Sequence, residues 1–442
     1  MQKIHLTFIV IVAAIGGFLF GYNTSVVAGA LLFIREEIPL TLGAQSLTVS
    51  SAIFGAFAGV LLGGQLADRI GRRKTMLIGA FFILFGGIFL LFASSLLGLL
   101  MGRVIVGVGM GLASLNGPLY IAEVVPGKNR GAYVAFFQVA ITIGILNGYL
   151  SSYFFAESAG WRVVFGLTSI PALIQFIALL ACPDSPSFLL AKGRGAKRAL
   201  KSLGREEEHE KIEKEIRQAL SESGGVCWKD LFQKPLLLAL TAGVGMALLV
   251  QFTGINTVIH YAPHLFQISG FPNGSDAMAA ALGIGIANLL ATLIALFFLD
   301  KWGRKPLLYI GLTGMCSTLI TLAVSLFVNA QTMPLLTAVN LILYVAFFSI
   351  GIGPVAWVII SEVFPLRIRG RAMSLSLATS WIANLFVSSS FLHMIEAISL
   401  SGTFLLYGIV TIIGIFFVYR FVPETKGKTL EEIEAEYGKG RN

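Results

Sequence analysis

A chain of 442 residues that is 56% hydrophobic and only 12% charged, with a mean hydropathy of +0.83, is not a soluble globular protein, which usually carries about 25% charged residues. Its net charge of +9 does not indicate nucleic-acid binding, because the cations fall in loops after alternate apolar runs. The three cysteines, Cys182, Cys227 and Cys316, lie far apart, with no metal-ligand spacing and no evident pairing.

No Asp, Glu, Lys or Arg occurs from Met76 to Gly102, from Leu236 to Ser275, from Pro306 to Ser361 or from Ala397 to Tyr419. A helix needs about 20 apolar residues to cross the hydrocarbon core, and an isolated apolar run can satisfy its backbone there only as a helix. The pattern therefore predicts an all-α membrane protein with about twelve spans. The first six cover Leu6–Ile34, Leu47–Ala67, Met76–Ala93, Leu99–Ile121, Ala132–Phe155 and Val163–Ala181. From Pro183 to Lys234 the chain turns polar, with a Lys/Glu-rich segment whose spacing suits short surface helices. Six more spans follow: Pro235–Ile268, Ala277–Leu299, Leu307–Val328, Leu335–Ile360, Ala372–Ile395 and Phe404–Val422. The expected organisation is an N-terminal six-helix bundle (1–185), linker helices (186–233), a C-terminal six-helix bundle (234–423) and a polar tail (424–442). Cations cluster at 69–74, 128–130, 192–234, 301–305 and 367–371 and in the tail, and the intervening loops carry few. That asymmetry predicts that both termini and the linker are cytoplasmic.

The chain echoes itself. Asp68, Gly71 and Arg72 recur as Asp300, Gly303 and Arg304, each 232 residues on. Glu123-Val124-Val125-Pro126 and Arg130-Gly131 recur as Glu362-Val363-Phe364-Pro365 and Arg369-Gly370, 239 residues on, and Pro183-Asp184 returns as Pro423-Glu424. Same-sense repeats of about six spans imply two bundles related by an axis along the membrane normal, with a ligand near the midplane.

Several residues carry candidate chemistry. Asp68, Arg72, Arg73, Glu123 and Arg130, with Asp300, Arg304, Glu362 and Arg369, form a network of opposite charges that could latch the ends of the two halves. The plain alternative is a set of cations that only orient the spans. Arg103 is the one charge well inside a span, where an ionisable residue calls for a partner. No acid lies within a span core, and the first span offers Asn23, which can accept a hydrogen bond but cannot carry a proton. His260 could titrate near neutrality and act at a gate, or simply hydrogen-bond as a neutral ring. Gln138, Gln251, Asn256, Asn288 and Asn384, with the flat faces of Trp357 and Trp381, suit a neutral polyol, which has hydroxyls at its edge and C–H groups on its faces. For any one of these amides alone, a helix–helix hydrogen bond is an equal reading.

Taken with Gly102-Arg103-Val104, Pro118-Leu119-Tyr120-Ile121-Ala122-Glu123, Pro183-Asp184-Ser185-Pro186, Gln251-Phe252-Thr253-Gly254-Ile255-Asn256, Gly353-Pro354 with Trp357, and Pro423-Glu424-Thr425-Lys426-Gly427, the basic loops identify a resemblance. The chain resembles the sugar porter family of the major facilitator superfamily over nearly its whole length. Its motifs are closest to those of facilitative glucose carriers and bacterial glucose/xylose proton symporters. The resemblance implies a twelve-helix fold, alternating access, and a monosaccharide such as glucose bound mainly by the C-terminal half. It places sugar contacts at Gln138, Gln251, Asn256, Asn288, Trp357 and Trp381, with Phe20 and Gly353 as further carry-overs. Asn23 and Arg103 fall at the coupling position, where proton-coupled members carry an Asp in the first span. Ile145 also matches the facilitative branch, Val250 departs from a usual Gln, and His260 stands where the family has a gate tyrosine. The resemblance therefore implies uniport by facilitated diffusion. Proton symport through another group, a symporter carrying an Asp-to-Asn change, or a sugar receptor that does not transport are the alternatives. The expected setting is a bacterial inner membrane, with lipid and sugar as partners, a monomeric state, and no cofactor, metal, nucleic acid or enzymatic activity.

Overall fold

The computed structural model describes residues 6–126, 130–193, 195–203, 210, 213–214, 231–329, 334–364 and 368–426. The Lys/Glu-rich part of the linker and the polar tail beyond Lys426 lie outside the described residues.

All described regular structure is helical. In the N-terminal part α1 covers Leu6–Glu37, α2 Leu42–Ile70, α3 Arg72–Leu91, α4 Leu96–Val124, α5 Arg130–Gly166 and α6 Ser169–Ala181, with the short α7 (Pro186–Ala191) and α8 (Lys197–Ser202) after them. The C-terminal part holds α9 (Lys234–Phe252), α10 (Ile255–Ile268), α11 (Gly274–Trp302), α12 (Arg304–Asn329), α13 (Pro334–Ile350), α14 (Ile352–Glu362) and α15 (Arg369–Phe421). Among the described residues eleven helical stretches are long and apolar enough to cross a membrane, and one of them, Gly370–Phe421, has 52 residues. At 1.5 Å per residue that last run is about twice the length one crossing needs, and its backbone leaves the helical region at Ser399. Counted as two, it brings the total to the twelve expected crossings. The described helices are those of a multi-pass integral membrane protein.

Two compact units divide the chain: Met1–Pro39 with Leu47–Gly225, and Leu40–Ser46 with Val226–Asn442. In the first unit α1 packs along α5 at short range. A β-carbon at Gly21 would overlap the carbonyl oxygen of Ile141, and one at Gly144 would overlap that of Phe18. Small residues at both crossing points let the backbones touch, which is how helices gain packing where lipid removes the hydrophobic drive. Ile9, Val12, Met76, Tyr120, Val124, Phe137 and Leu179 fill the core between α1, α3, α4, α5 and α6.

In the second unit two spans are broken. The seventh crossing changes direction at Gly254, whose φ of 88° is open to glycine and disfavoured for other residues. A side chain there would also strike the ring of Tyr407. The tenth crossing breaks at Gly351, between α13 and α14. Interrupted helices at membrane depth free backbone and polar side chains from the helical ladder, and they are tolerated where that polar surface faces protein or a cavity. Their uncharged sequences hide the breaks from a hydropathy reading.

Candidate functional site

The structure places the sequence-predicted residues in three groups. The first surrounds Arg103 on α4, which is 1% exposed. A buried guanidinium needs its donors and its charge accommodated. Its Nε donates to the Thr48 carbonyl at 3.2 Å, its Nη1 donates to the Asn23 carbonyl at 3.3 Å, and its Cζ lies 5.4 Å from the ring centroid of Phe165. Arg103 therefore sits inside the bundle. The Asn23 amide turns elsewhere: Nδ2 donates to the Leu19 carbonyl and to Thr168 Oγ1, both at 2.8 Å, and its buried Oδ1 accepts no hydrogen bond. The arginine thus meets the backbone of Asn23, together with the Thr48 carbonyl and the aromatic face of Phe165. Thr168 is a member of this site that sequence reasoning missed.

The second group lies where the basic loops join the helices, and here the two repeats build the same device. Arg72 Nη1 meets Asp68 at 2.7 Å and its Nε meets Glu123 at 3.3 Å, while Ser185 donates to the other Glu123 oxygen. Arg304 grips Glu362 through Nη2 at 2.8 Å and Nε at 3.2 Å, and Thr425 donates to the same carboxylate at 2.5 Å. Arginine, glutamate and hydroxyl recur together within each unit, tying its own helices. Gly71 (φ 97°) and Gly303 (φ 93°) turn the chain ahead of the two arginines in the same way. Arg73 donates to the carbonyls of Leu179 (2.8 Å) and Leu180 (3.0 Å), satisfying acceptors at the end of α6.

Glu424 departs from the repeat. Its carboxylate accepts from the backbone N–H groups of Arg304 (3.0 Å), Lys305 (2.8 Å) and Lys426 (2.9 Å), capping the start of α12. Burial pushes its pKa upward, but those three N–H groups and the nearby Arg304 charge outweigh burial and hold it below the usual carboxylate value. Its repeat counterpart is Asp184, whose buried Oδ1 has no hydrogen-bond partner among the described residues, and Asp68 on the first basic loop caps no helix either. It is exposed and pairs with Arg72 four residues on. The side chains of Arg130, Asp300 and Arg369, all expected in this network, lie outside the described residues.

The third group is the amide set of the C-terminal unit. Gln251, at the end of α9, and Asn256, in the first turn of α10, flank the Gly254 break, and that break brings them together. Asn256 Nδ2 donates to Gln251 Oε1 at 2.6 Å, and Gln251 Nε2 donates to Ser380 Oγ on α15 at 2.8 Å. The next residue, Trp381, is 7% exposed, as are Gln251 and Asn384. Asn288 Oδ1 accepts from Ser349 and Asn384 Oδ1 accepts from Ser388, both at 3.0 Å. Tyr344 donates to the Thr253 carbonyl at 2.8 Å, occupying an acceptor exposed by the broken helix. The serines at 349, 380 and 388 are functional candidates that sequence reasoning missed.

The remaining predicted residues stand in varied settings. His260 is buried on α10, Gly353 is buried just after the Gly351 break, and Trp357 is 37% exposed. Phe20 on α1 and Gln138 on α5 are half-buried in the N-terminal unit.

Comparison with known proteins agrees with this architecture. The family described as "Sugar (and other) transporter" matches residues 9–437. The D-xylose transporter of Levilactobacillus brevis is 37% identical over 98% of this chain and 96% of its own. The galactose-proton symporter of Escherichia coli K12 is 36% identical over 100% of this chain and 96% of its own. Among solved structures, the inward-open xylose transporter XylE from E. coli superposes with a TM-score of 0.84 at 32% identity, covering 98% of this chain and 99% of that one.

Proposed function

We propose that this chain, which belongs to the sugar (and other) transporter family of the major facilitator superfamily, carries a monosaccharide down its gradient by uniport. It is a sugar transporter and not an enzyme. The finer reading rests on one observation. The α1 residue whose carbonyl the buried arginine of α4 meets is Asn23, 1% exposed, whose amide side chain does not titrate. An arginine stays charged at any accessible pH, so neither member of this pair can load and release a proton.

The sugar is a hexose or similar polyol held mainly by the amide and indole groups of the C-terminal unit: Gln251, Asn256, Asn288, Asn384 and Trp381, with Trp357 and Gly353 beside the broken tenth span. Phe20 and Gln138 contribute from the N-terminal unit, and His260 stands at a gate. Amide hydrogen bonds at about 1 kcal/mol net each, plus a stacked indole, supply about −4 to −8 kcal/mol, the millimolar-to-micromolar affinity suited to rapid release. The protein works by alternating access as a monomer in a bacterial inner membrane, with both termini cytoplasmic. The arginine–glutamate pairs at the basic loops hold the helix ends of each unit through the cycle.

A second reading, proton symport through another group such as His260, is favoured by the similarity to the galactose-proton symporter of E. coli. Purified protein in liposomes separates the two. Uniport predicts counterflow of labelled sugar with no accumulation when the lumen is made alkaline, and accumulation under that gradient overturns it. In the same assay Asn23→Asp is expected to add gradient-driven uptake, because it places a titratable group beside Arg103.

A further inference from the structure

We infer that Ser380 is a positioning residue for sugar recognition, holding the Gln251 side chain in the place from which it meets the sugar. This rests on the reading of Gln251 and Asn256 as sugar contacts. A glutamine side chain left free samples many rotamers, and ordering it on binding costs conformational entropy. Here both ends are engaged. The Nε2 end donates to Ser380 Oγ at 2.8 Å, and the Oε1 end accepts from Asn256 Nδ2 at 2.6 Å.

Ser380 is 2% exposed and Gln251 7%, so little water reaches either end. The contact spans 129 residues of chain, joining the break in the seventh crossing to α15. Other serines of the same helix bond within it: Ser374 to the Gly370 carbonyl and Ser376 to the Ala372 carbonyl, as serines in membrane helices commonly do. Ser380 instead accepts from the Gln251 amide. Held at both ends, Gln251 keeps one N–H and one oxygen lone pair for a ligand, and Asn256 keeps a donor and an acceptor of its own. A sugar thus meets an amide already held in place, and preorganised groups bind without first being ordered.

The test is initial-rate counterflow on reconstituted protein with D-glucose, D-galactose and D-xylose. It compares wild type, Ser380→Ala, Ser380→Thr, Gln251→Ala and the double variant Gln251→Ala/Ser380→Ala, each normalised to folded protein. Ser380→Ala should raise KM for the preferred sugar about three- to ten-fold, the effect of one lost hydrogen bond, and narrow the preference among the three sugars at nearly unchanged maximal rate. Ser380→Thr, which keeps the hydroxyl, should restore both. In the Gln251→Ala background, removing the serine should add nothing. An equal added loss in that background, or a fall in maximal rate without a change in KM, overturns the positioning role. If Gln251→Ala itself leaves KM unchanged, the sugar-site reading fails first, and the two failures are thereby distinguished.

Discussion

Replacing Glu362 by Gln removes the charge from a carboxylate that accepts two hydrogen bonds from Arg304, at 2.8 and 3.2 Å, and one from Thr425 at 2.5 Å. The Arg304 side chain keeps 13% of its exposure and Glu362 keeps 30%, so water screens the pair only in part. Charge-assisted hydrogen bonds contribute about 1.5–3 kcal/mol when shielded, and exposed ion pairs about 0–1 kcal/mol. A bidentate, partly shielded pair belongs between these, and Glu362→Gln should destabilise the protein by about 2 kcal/mol. Asp68 provides the contrast. It meets Arg72 at a comparable 2.7 Å, but its side chain is 74% exposed, so Asp68→Asn should cost about 0.5 kcal/mol or less. The assay is thermal denaturation in detergent, following tryptophan fluorescence and the monodisperse fraction left after heating. Distance alone ranks the two variants alike, and exposure ranks Glu362 well ahead. Equal losses for the two would refute the argument from shielding.

Ser399 has φ 64° and ψ 168°, a region open almost solely to glycine, and its repeat counterpart 239 residues earlier is Gly160, at φ 77° and ψ 157°. Ser399→Gly should relieve about 1–3 kcal/mol of strain and give up only a few tenths from the lost Ser399 Oγ contact with the Gly402 N–H, raising thermal stability in the same assay; no increase would refute the strain. Glu424, whose folded pKa is depressed, stabilises the protein fully above the unfolded value of about 4.3 and loses that contribution as pH falls through the folded value. The stability gap between wild type and Glu424→Gln should therefore be constant from pH 7 to about 5.5 and close below about pH 4, whereas a gap that persists at low pH would assign the effect to packing.

Span number and type were legible from the residues because the length of an uncharged run is a local property that the bilayer reads directly. The broken spans were not. Leu236 to Ser275 is one uninterrupted uncharged run, and the turn within it depends on the positive φ at Gly254 and on Tyr407 closing over that position. Gln251 and Asn256 were visible because amides are rare in apolar runs. Their serine partner was not, because a serine in a membrane helix ordinarily bonds its own backbone and its sequence does not mark the exception. Charge spacing singled out Arg72, Glu123, Arg304 and Glu362, but left open which of them meet. The fold pairs each arginine with the glutamate of its own unit and adds Ser185 and Thr425 as hydroxyl partners.

The duplication also separates scaffold from chemistry along a single helix. In the 239-residue register that aligns α5 with α15, the starts agree as Arg130-Gly131 with Arg369-Gly370, and the far turns agree as Gly160 with Ser399. Between those points the residues diverge. Ile141, Thr142 and Ile145 of the first unit correspond to Ser380, Trp381 and Asn384 of the second, and Gln138 corresponds to Leu377. In α5 this middle stretch presses against glycines of α1, with the Ile141 carbonyl where a Gly21 side chain would be. In α15 the same stretch supplies a hydroxyl to Gln251 and an amide paired with Ser388. Helix ends must turn and be held whichever unit they belong to, so both copies keep residues that do this. The middle of a span is released from that duty once packing is secure. One copy uses most of it for close backbone contact, and the other fills it with hydrogen-bonded polar groups, Ser380 and Asn384 among them.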